Sequence, residues 1–148
     1  MMEYRQPVVS DIPQMADLYS EAGFAERDGA EGFIAKTFNT CHWLVAVEGD
    51  RLAGMARAIC DHASDCFIQD VAVRKEFRRR GVASGLVSRL VEQVSAEGVD
   101  WIGLVSVPGA EDLYRKCGFA PLKGYTAMRW LKRPRPDGVN HGSDCASS

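Results

Sequence analysis

Nowhere does this chain hold an apolar run approaching the ~20 residues needed to cross a bilayer. Nor does it open on a basic segment followed by an apolar stretch. Both absences predict a cytoplasmic protein with no membrane partner. It also lacks an excess of positive charge. Its 18 Lys and Arg stand against 20 Asp and Glu, for a formal charge of −2, which argues against nucleic acid as a partner, since phosphates need a basic face. The five cysteines, Cys41, Cys60, Cys66, Cys117 and Cys145, include no Cys-x-x-Cys spacing. No metal is expected, and an odd, unpatterned set predicts reduced thiols. Internal repeats are absent too. With 148 residues, the chain can bury one core but not two.

Hydrophobic periodicity supplies the elements. Met2 to Val9 reads as a first strand that Pro7 confines to an edge or a bulge. Ser10 or Asp11 caps a helix carrying Ile12, Met15, Leu18 and Tyr19. A second helix runs over Glu31 to Phe38, and Phe24, Phe33 and Phe38 are candidates for core packing or for the wall of a pocket. Trp43 to Val47 and Arg51 to Cys60 form a hairpin around Glu48-Gly49-Asp50, with Gly54 and Ala56 keeping the second arm thin. A turn over Asp61 to Asp65 returns the chain to a buried strand, Cys66 to Val73. A helix from Val82 to about Glu97 follows, then a strand over Asp100 to Val107, parallel to Cys66–Val73 because a helical crossover joins them. Ala110 to Lys116 is a short helix, and Ala120 to Leu131 a last strand or hairpin interrupted at Lys123-Gly124. Residues 1–133 are expected as a single domain. Beyond Arg133, Pro, Gly and Ser predominate, and 134–148 reads as a disordered tail.

The chain is organised around the strand Cys66–Val73 and the turn after it, Arg78-Arg79-Arg80-Gly81-Val82-Ala83-Ser84. A helix start presents unpaired N–H groups, Gly lets an anion approach the main chain, and arginine forks suit phosphate oxygens. Strand, basic turn, Gly and helix together make a pyrophosphate cradle. The pattern Arg78-x-x-Gly81-x-Ala83 resembles the acyl-CoA signature of the GNAT superfamily of N-acetyltransferases. A second element of that family follows as Ala110-x-x-x-Tyr114-x-x-x-Gly118-Phe119. The run Leu52 to Ala58 with Asp61-His62 and Ile68-Gln69-Asp70-Val71 is similar to the middle of plant serotonin N-acetyltransferases and their small bacterial relatives.

The resemblance implies an α/β (α+β) fold: a mixed, mostly antiparallel sheet of six to seven strands with four helices, and one parallel strand pair splayed at the CoA site. It implies acetyl-CoA as cosubstrate and a small primary amine, with an arylalkylamine favoured, as acceptor, by direct attack in a ternary complex. The cofactor would lie against Val71, Ala72 and Val73, the turn Arg78, Arg79, Arg80, Gly81, Val82, Ala83 and Ser84, and the backbone of Ser106 and Gly109. These last two substitute for an Asn common in relatives, where this chain has Val107. A backbone N–H of Val71 or Val73 would polarise the thioester carbonyl. Tyr114 would protonate the departing thiolate. Asp70 would take the amine proton, unless it is a structural hydrogen-bond partner of a neighbouring loop; His62 and Asp61 are reserves. Alternation places Gln69 and Asp70 on opposite faces, so only one should see the acceptor. A sensor that binds acyl-CoA without turnover is the alternative, with protein N-terminal or lysine acetylation behind it, and homodimerisation is left open.

Overall fold

Trp43, Val45 and Val47 point to one face of a strand, Leu44 and Ala46 to the other, and all five are buried. A strand covered on both faces requires three layers. The computed structural model describes residues 1–133; the tail expected over 134–148 lies outside them. In chain order the elements are β1 Met2–Arg5, α1 Ile12–Glu21, α2 Ala30–Thr37, β2 Cys41–Glu48, β3 Arg51–Cys60, β4 Asp65–Val73, α3 Val82–Ala96, β5 Trp101–Gly103 and α4 Glu111–Lys116. The sheet order is β1-β2-β3-β4-β5. Its first three pairings are antiparallel and β4–β5 is parallel. Among the described residues no helix is long and apolar enough to cross a membrane.

The α1–α2 pair sets Met15, Leu18, Tyr19 and Ile34 on Trp43, Val45, Leu52 and Met55. On the opposite face α3 lays Val82, Leu86 and Leu90 on Leu44, Ala46, Ala53 and Ala56. Each such large side chain contributes about 1.5–3 kcal/mol by leaving water. Gly54 permits the close approach: a Cβ there would stand 3.0 Å from the Ala72 carbonyl and 3.1 Å from the Leu86 and Val82 side chains. Asp11 begins α1 but makes no side-chain cap bond. Its carboxylate instead accepts from both nitrogens of the Arg5 fork (2.7 and 3.0 Å) and from the Val8 N–H (2.7 Å), tying β1 to α1.

Five expectations are corrected. Among the described residues the sheet has five strands rather than six to seven. β5 is three residues long instead of spanning Asp100 to Val107, and Ala120 to Leu131 forms no strand. The two shortfalls share a cause. β4–β5 pairing stops at Phe67↔Gly103, so there is no longer edge for a last strand to join, and an unpartnered strand has no ladder to hold it. That segment keeps one turn, in which Tyr125 N–H donates to the Leu122 carbonyl at 3.2 Å. β4 is not covered on both faces throughout; its burial alternates residue by residue. Finally, Cys60 and Cys66 are not free thiols. They face each other across the β3–β4 ladder and form a disulfide, a pairing set by cross-strand register that sequence spacing does not show.

Candidate active site

Two irregularities of β4 build the site. After Phe67↔Gly103 the parallel ladder ends, so the outer edge of Ile68 to Val73 has no strand neighbour among the described residues. On the inner edge the register slips: Met55 opposes Ala72 while Arg57 opposes Gln69. Ala56 therefore faces two residues, Asp70 and Val71, which is a bulge. Asp70 sits at φ +54, a left-handed conformation that Asp tolerates better than most residues. The extra residue inverts the strand's faces. Before the bulge, Cys66 and Ile68 pack beneath α3; after it, Ala72 packs with α1 and α2, while Val71 and Val73 lie on the α3 side.

A cavity of about 300 Å³ opens at this point, walled by Ile68 to Val71, by Val105 and Val107, by Tyr114 and by the α1 end, Ala22 to Phe24. Both Gln69 and Asp70 line it, contrary to strict alternation, because the bulge breaks that alternation.

Asp70 is buried and belongs to a polar cluster. Its Oδ2 accepts from the Tyr19 hydroxyl and from Arg57 Nε at 2.6 Å. The Arg57 guanidinium lies over the Phe33 ring (5.2 Å) and the Trp43 ring (5.8 Å). Burial is the largest single influence on Arg57 and works against its charge, but its neighbours, Asp70 first, together outweigh it and hold the guanidinium pKa above its ordinary value. Burial, and then the same carboxylate, pushes the Tyr19 phenol up, so it remains a donor. Sequence reading took Tyr19 as a packing residue and missed Arg57. The available signal was an arginine inside one apolar strand and a lone aspartate inside the next, a pair that neither strand could bury alone.

Tyr114, on α4, lines the same cavity and is half-buried. Burial raises its phenol above the usual range, with a smaller push from Cys117, so the proton is held at neutral pH. Its ring meets Phe119 edge to face at 6.1 Å, and its carbonyl takes the Phe119 N–H at 3.0 Å.

A second cavity, also about 300 Å³, sits at the start of α3 against Val73, Arg78, Arg79 and Gly81 to Ser84, closed by Leu113 and Lys116. Gly81 is the N-cap at φ +74 and no side chain caps the helix, leaving the first N–H groups available to an anion. Arg78 Nε donates to the Val73 carbonyl at 3.1 Å. Lys116 was not anticipated; a lysine in the last turn of a short helix gives no sequence signal of what it faces. The two cavities are successive stations along β4 and α4. Val71 and Tyr114 serve one, Val73, Leu113 and Lys116 the other, and two residues of strand span only ~6.6 Å.

Other expected residues lie elsewhere. Arg80 turns away, donating to Glu48 Oε2 at 2.6 Å and stacking on Phe77 at 5.4 Å; it lines neither cavity. Ser106 Oγ donates to the Val107 carbonyl and the Gly109 N–H to Glu111 Oε2, each at 3.0 Å. Neither residue lines either of these two cavities, whereas Val105 and Val107 line the first. Ala72 is buried in the α1–α2 core. Asp61 accepts the N–H groups of Asp65, Ala63 and Ser64, which hold its carboxyl well below the usual range. His62 contacts Glu97 and His42. Both reserves sit on the turn before β4, roughly 16 Å of strand from Asp70, and are withdrawn as relay candidates. Of the three phenylalanines, Phe24 lines the cavity, Phe33 packs edge-on to Tyr19 at 5.7 Å, and Phe38 packs on the core. The free thiols Cys41 and Cys117 line neither cavity.

Comparison with known proteins bears on the family and the fold. The acetyltransferase (GNAT) family model matches residues 12–119. The chain is 27% identical over 127 residues to "GCN5-related N-acetyltransferase 1, chloroplastic" of Arabidopsis thaliana, covering 84% of this chain and 64% of that protein. It is 26% identical over 113 residues to "Serotonin N-acetyltransferase 2, chloroplastic" of Oryza sativa subsp. japonica, covering 74% and 56%. The chain thus spans less than two thirds of the length of either. In fold it is similar to a predicted acetyltransferase with acetyl-CoA from Clostridium acetobutylicum, with a TM-score of 0.71 at 18% identity, covering 87% of this chain and 96% of the other.

Proposed function

Because the chain belongs to the GNAT acetyltransferase family, we propose that it transfers an acetyl group from acetyl-CoA to a small primary amine by direct attack in a ternary complex. The observation that carries this reading is that Tyr114 and Asp70 wall one cavity at the point where β4 and β5 part. The N-terminus of α3 with Arg78, Arg79 and Lys116 binds the pyrophosphate. The unpaired edge of β4 takes the pantetheine arm, and the main chain at Val71 polarises the thioester carbonyl.

The amine lone pair attacks the acetyl carbon, and the carbon–sulfur bond breaks. Tyr114 gives its phenolic proton to the sulfur, and the amine's proton passes to Asp70. Arg57 and Tyr19 fix the carboxylate from behind. The acceptor end of the groove is bounded by Phe24, and Tyr19, Phe33 and Trp43 form an aromatic layer beside it. That layer, with the serotonin N-acetyltransferase among the relatives, supports an arylalkylamine.

Thiol release measured over a panel of arylalkylamines, aliphatic amines, aminoglycosides and peptides tests the proposal. Acetyl-CoA consumption should depend on amine and be fastest with arylalkylamines. Tight acetyl-CoA binding with no thiol release across the panel would replace it with a non-catalytic acyl-CoA sensor.

A further inference from the structure

Away from the groove, three separate segments bring metal-ligating side chains together. His42 lies early in β2, Cys60 and His62 bracket the end of β3, and Glu97 is the C-cap of α3. One donor atom from each lies within 4.8 Å of all the others. His42 Nε2 and His62 Nδ1 are 3.3 Å apart, and each stands 3.1 Å from a different oxygen of the Glu97 carboxylate. A tetrahedral ion with bonds of ~2.0–2.1 Å to nitrogen and oxygen requires its ligands ~3.3–3.4 Å apart. The two imidazole nitrogens already hold that spacing, and the Glu97 carboxylate stands beside both with one oxygen 3.1 Å from each.

The arrangement is also braced. The His42 side chain is 15% exposed. His62 sits at φ +60 on a turn whose next three N–H groups, of Ala63, Ser64 and Asp65, are taken up by Asp61 at 2.8–3.0 Å. Two imidazole nitrogens converge on one carboxylate, an arrangement that a single bound cation would bridge.

We infer that His42, His62 and Glu97 form a site for a divalent transition-metal ion of the zinc class, and that Cys60 supplies a fourth, thiolate ligand once the Cys60–Cys66 disulfide is reduced. An imidazole, carboxylate and thiolate set selects such ions over magnesium or calcium, which prefer oxygen alone. The ion staples the β3–β4 turn to the end of α3. It does so where β5 starts, since the Trp101 N–H donates to the Ser64 carbonyl at 3.1 Å. It therefore secures the edge whose early ending opens the acyl slot, without touching the reacting groups.

The test is a titration of the intact chain with Zn²⁺, followed by calorimetry and thermal melting. One ion per chain should bind and raise the Tm. His62→Ala, an exposed turn substitution, and Glu97→Gln should each weaken binding at least about tenfold with an unchanged circular-dichroism spectrum. Thiol release by metal-free protein should be the same in both variants, so failure here is distinct from failure of the acetyltransferase reading. No uptake of Zn²⁺, or equal affinity in wild type and both variants, overturns the site.

Cobalt reports on the sulfur. A phosphine reduces the disulfide, water giving its oxygen to the phosphine oxide and two protons to Cys60 and Cys66; the ion then displaces the Cys60 proton. Reduced protein with Co²⁺ should gain a sulfur-to-metal charge-transfer band that Cys60→Ser lacks. Its absence in reduced wild type, or its persistence in Cys60→Ser, overturns the role of Cys60.

Discussion

Replacing Asp70 by Asn removes one charge and almost no volume, and it separates two roles that the buried cluster allows. Asp70 and Arg57 form an ion pair at 2.6 Å with each side chain only 10% exposed. Removing one partner of such a pair costs about 3–5 kcal/mol, because the remaining charge is stranded. Asn keeps a neutral acceptor for Tyr19 and Arg57, recovering about 0.5–1.5 kcal/mol, and it tolerates the left-handed backbone at this position. The expected net loss is about 1.5–4.5 kcal/mol. For a domain of this size that lowers the Tm by about 3–18 °C. Asp70→Ala should lose more, since Tyr19 is stranded too and φ +54 is less favourable for Ala. Adding Arg57→Met to Asp70→Asn should restore stability, because an apolar replacement for a buried pair is near neutral.

Thermal unfolding followed by circular dichroism gives the stability arm, and initial rates of thiol release against pH give the catalytic arm. If Asp70 takes the amine proton, the Asn variant loses turnover most at low pH, and the deficit shrinks as pH approaches the amine's own pKa. A purely structural Asp70 lowers the Tm with an unaltered pH profile. An Asn variant melting within about one degree of the parent would refute the stability argument from the buried pair.

Tyr114→Phe should cut turnover roughly 10²-fold with little change in acetyl-CoA affinity; full activity would assign the proton to another donor. Because burial raises the Tyr114 phenol and the protonated form is the working one, the alkaline limb of the wild-type rate profile should fall above the ordinary tyrosine value near ~10; a limb below it would contradict the assignment. Gly81→Val should weaken acetyl-CoA binding by about tenfold or more. The nearest atom to a new Cβ there, Ser84 Oγ, is 3.8 Å away, so the cost comes from φ +74 and from covering the helix N–H groups rather than from a clash within the protein. Calorimetry should also show Arg78→Ala weakening binding, most at low salt, and Arg80→Ala leaving it unchanged, since Arg80 is spent on Glu48. Arg5 holds the Asp11 carboxyl below its ordinary value. The stability this contributes is present above the unfolded value near ~3.9 and is lost as pH falls through the lower folded value. Asp11→Asn should therefore flatten the acid limb of unfolding, and an unchanged limb would discount the pair.

The sequence alone determined the features that depend on local order. Apolar patterning placed β1 to β4 and α1 to α4. The Gly between a basic turn and a helix marked the start of α3, and Ala110-x-x-x-Tyr114 put a phenol on α4. Those features need only neighbouring residues to be legible. What the tertiary structure decided are relations between strands. The bulge at Asp70 arises because β3 offers one residue where β4 offers two, and no pattern within β4 announces it. That slip turns Asp70 towards Arg57 and Tyr19 and admits Gln69 to the same cavity. Cross-strand register likewise joined Cys60 to Cys66, while an ion pair with Glu48 drew Arg80 away from the cradle it adjoins in sequence. The length of β5 was decided in the same way. Apolar character permits a strand from Asp100 to Val107, but a strand lasts only as long as its partner stays beside it, and β4 parts from it after Phe67.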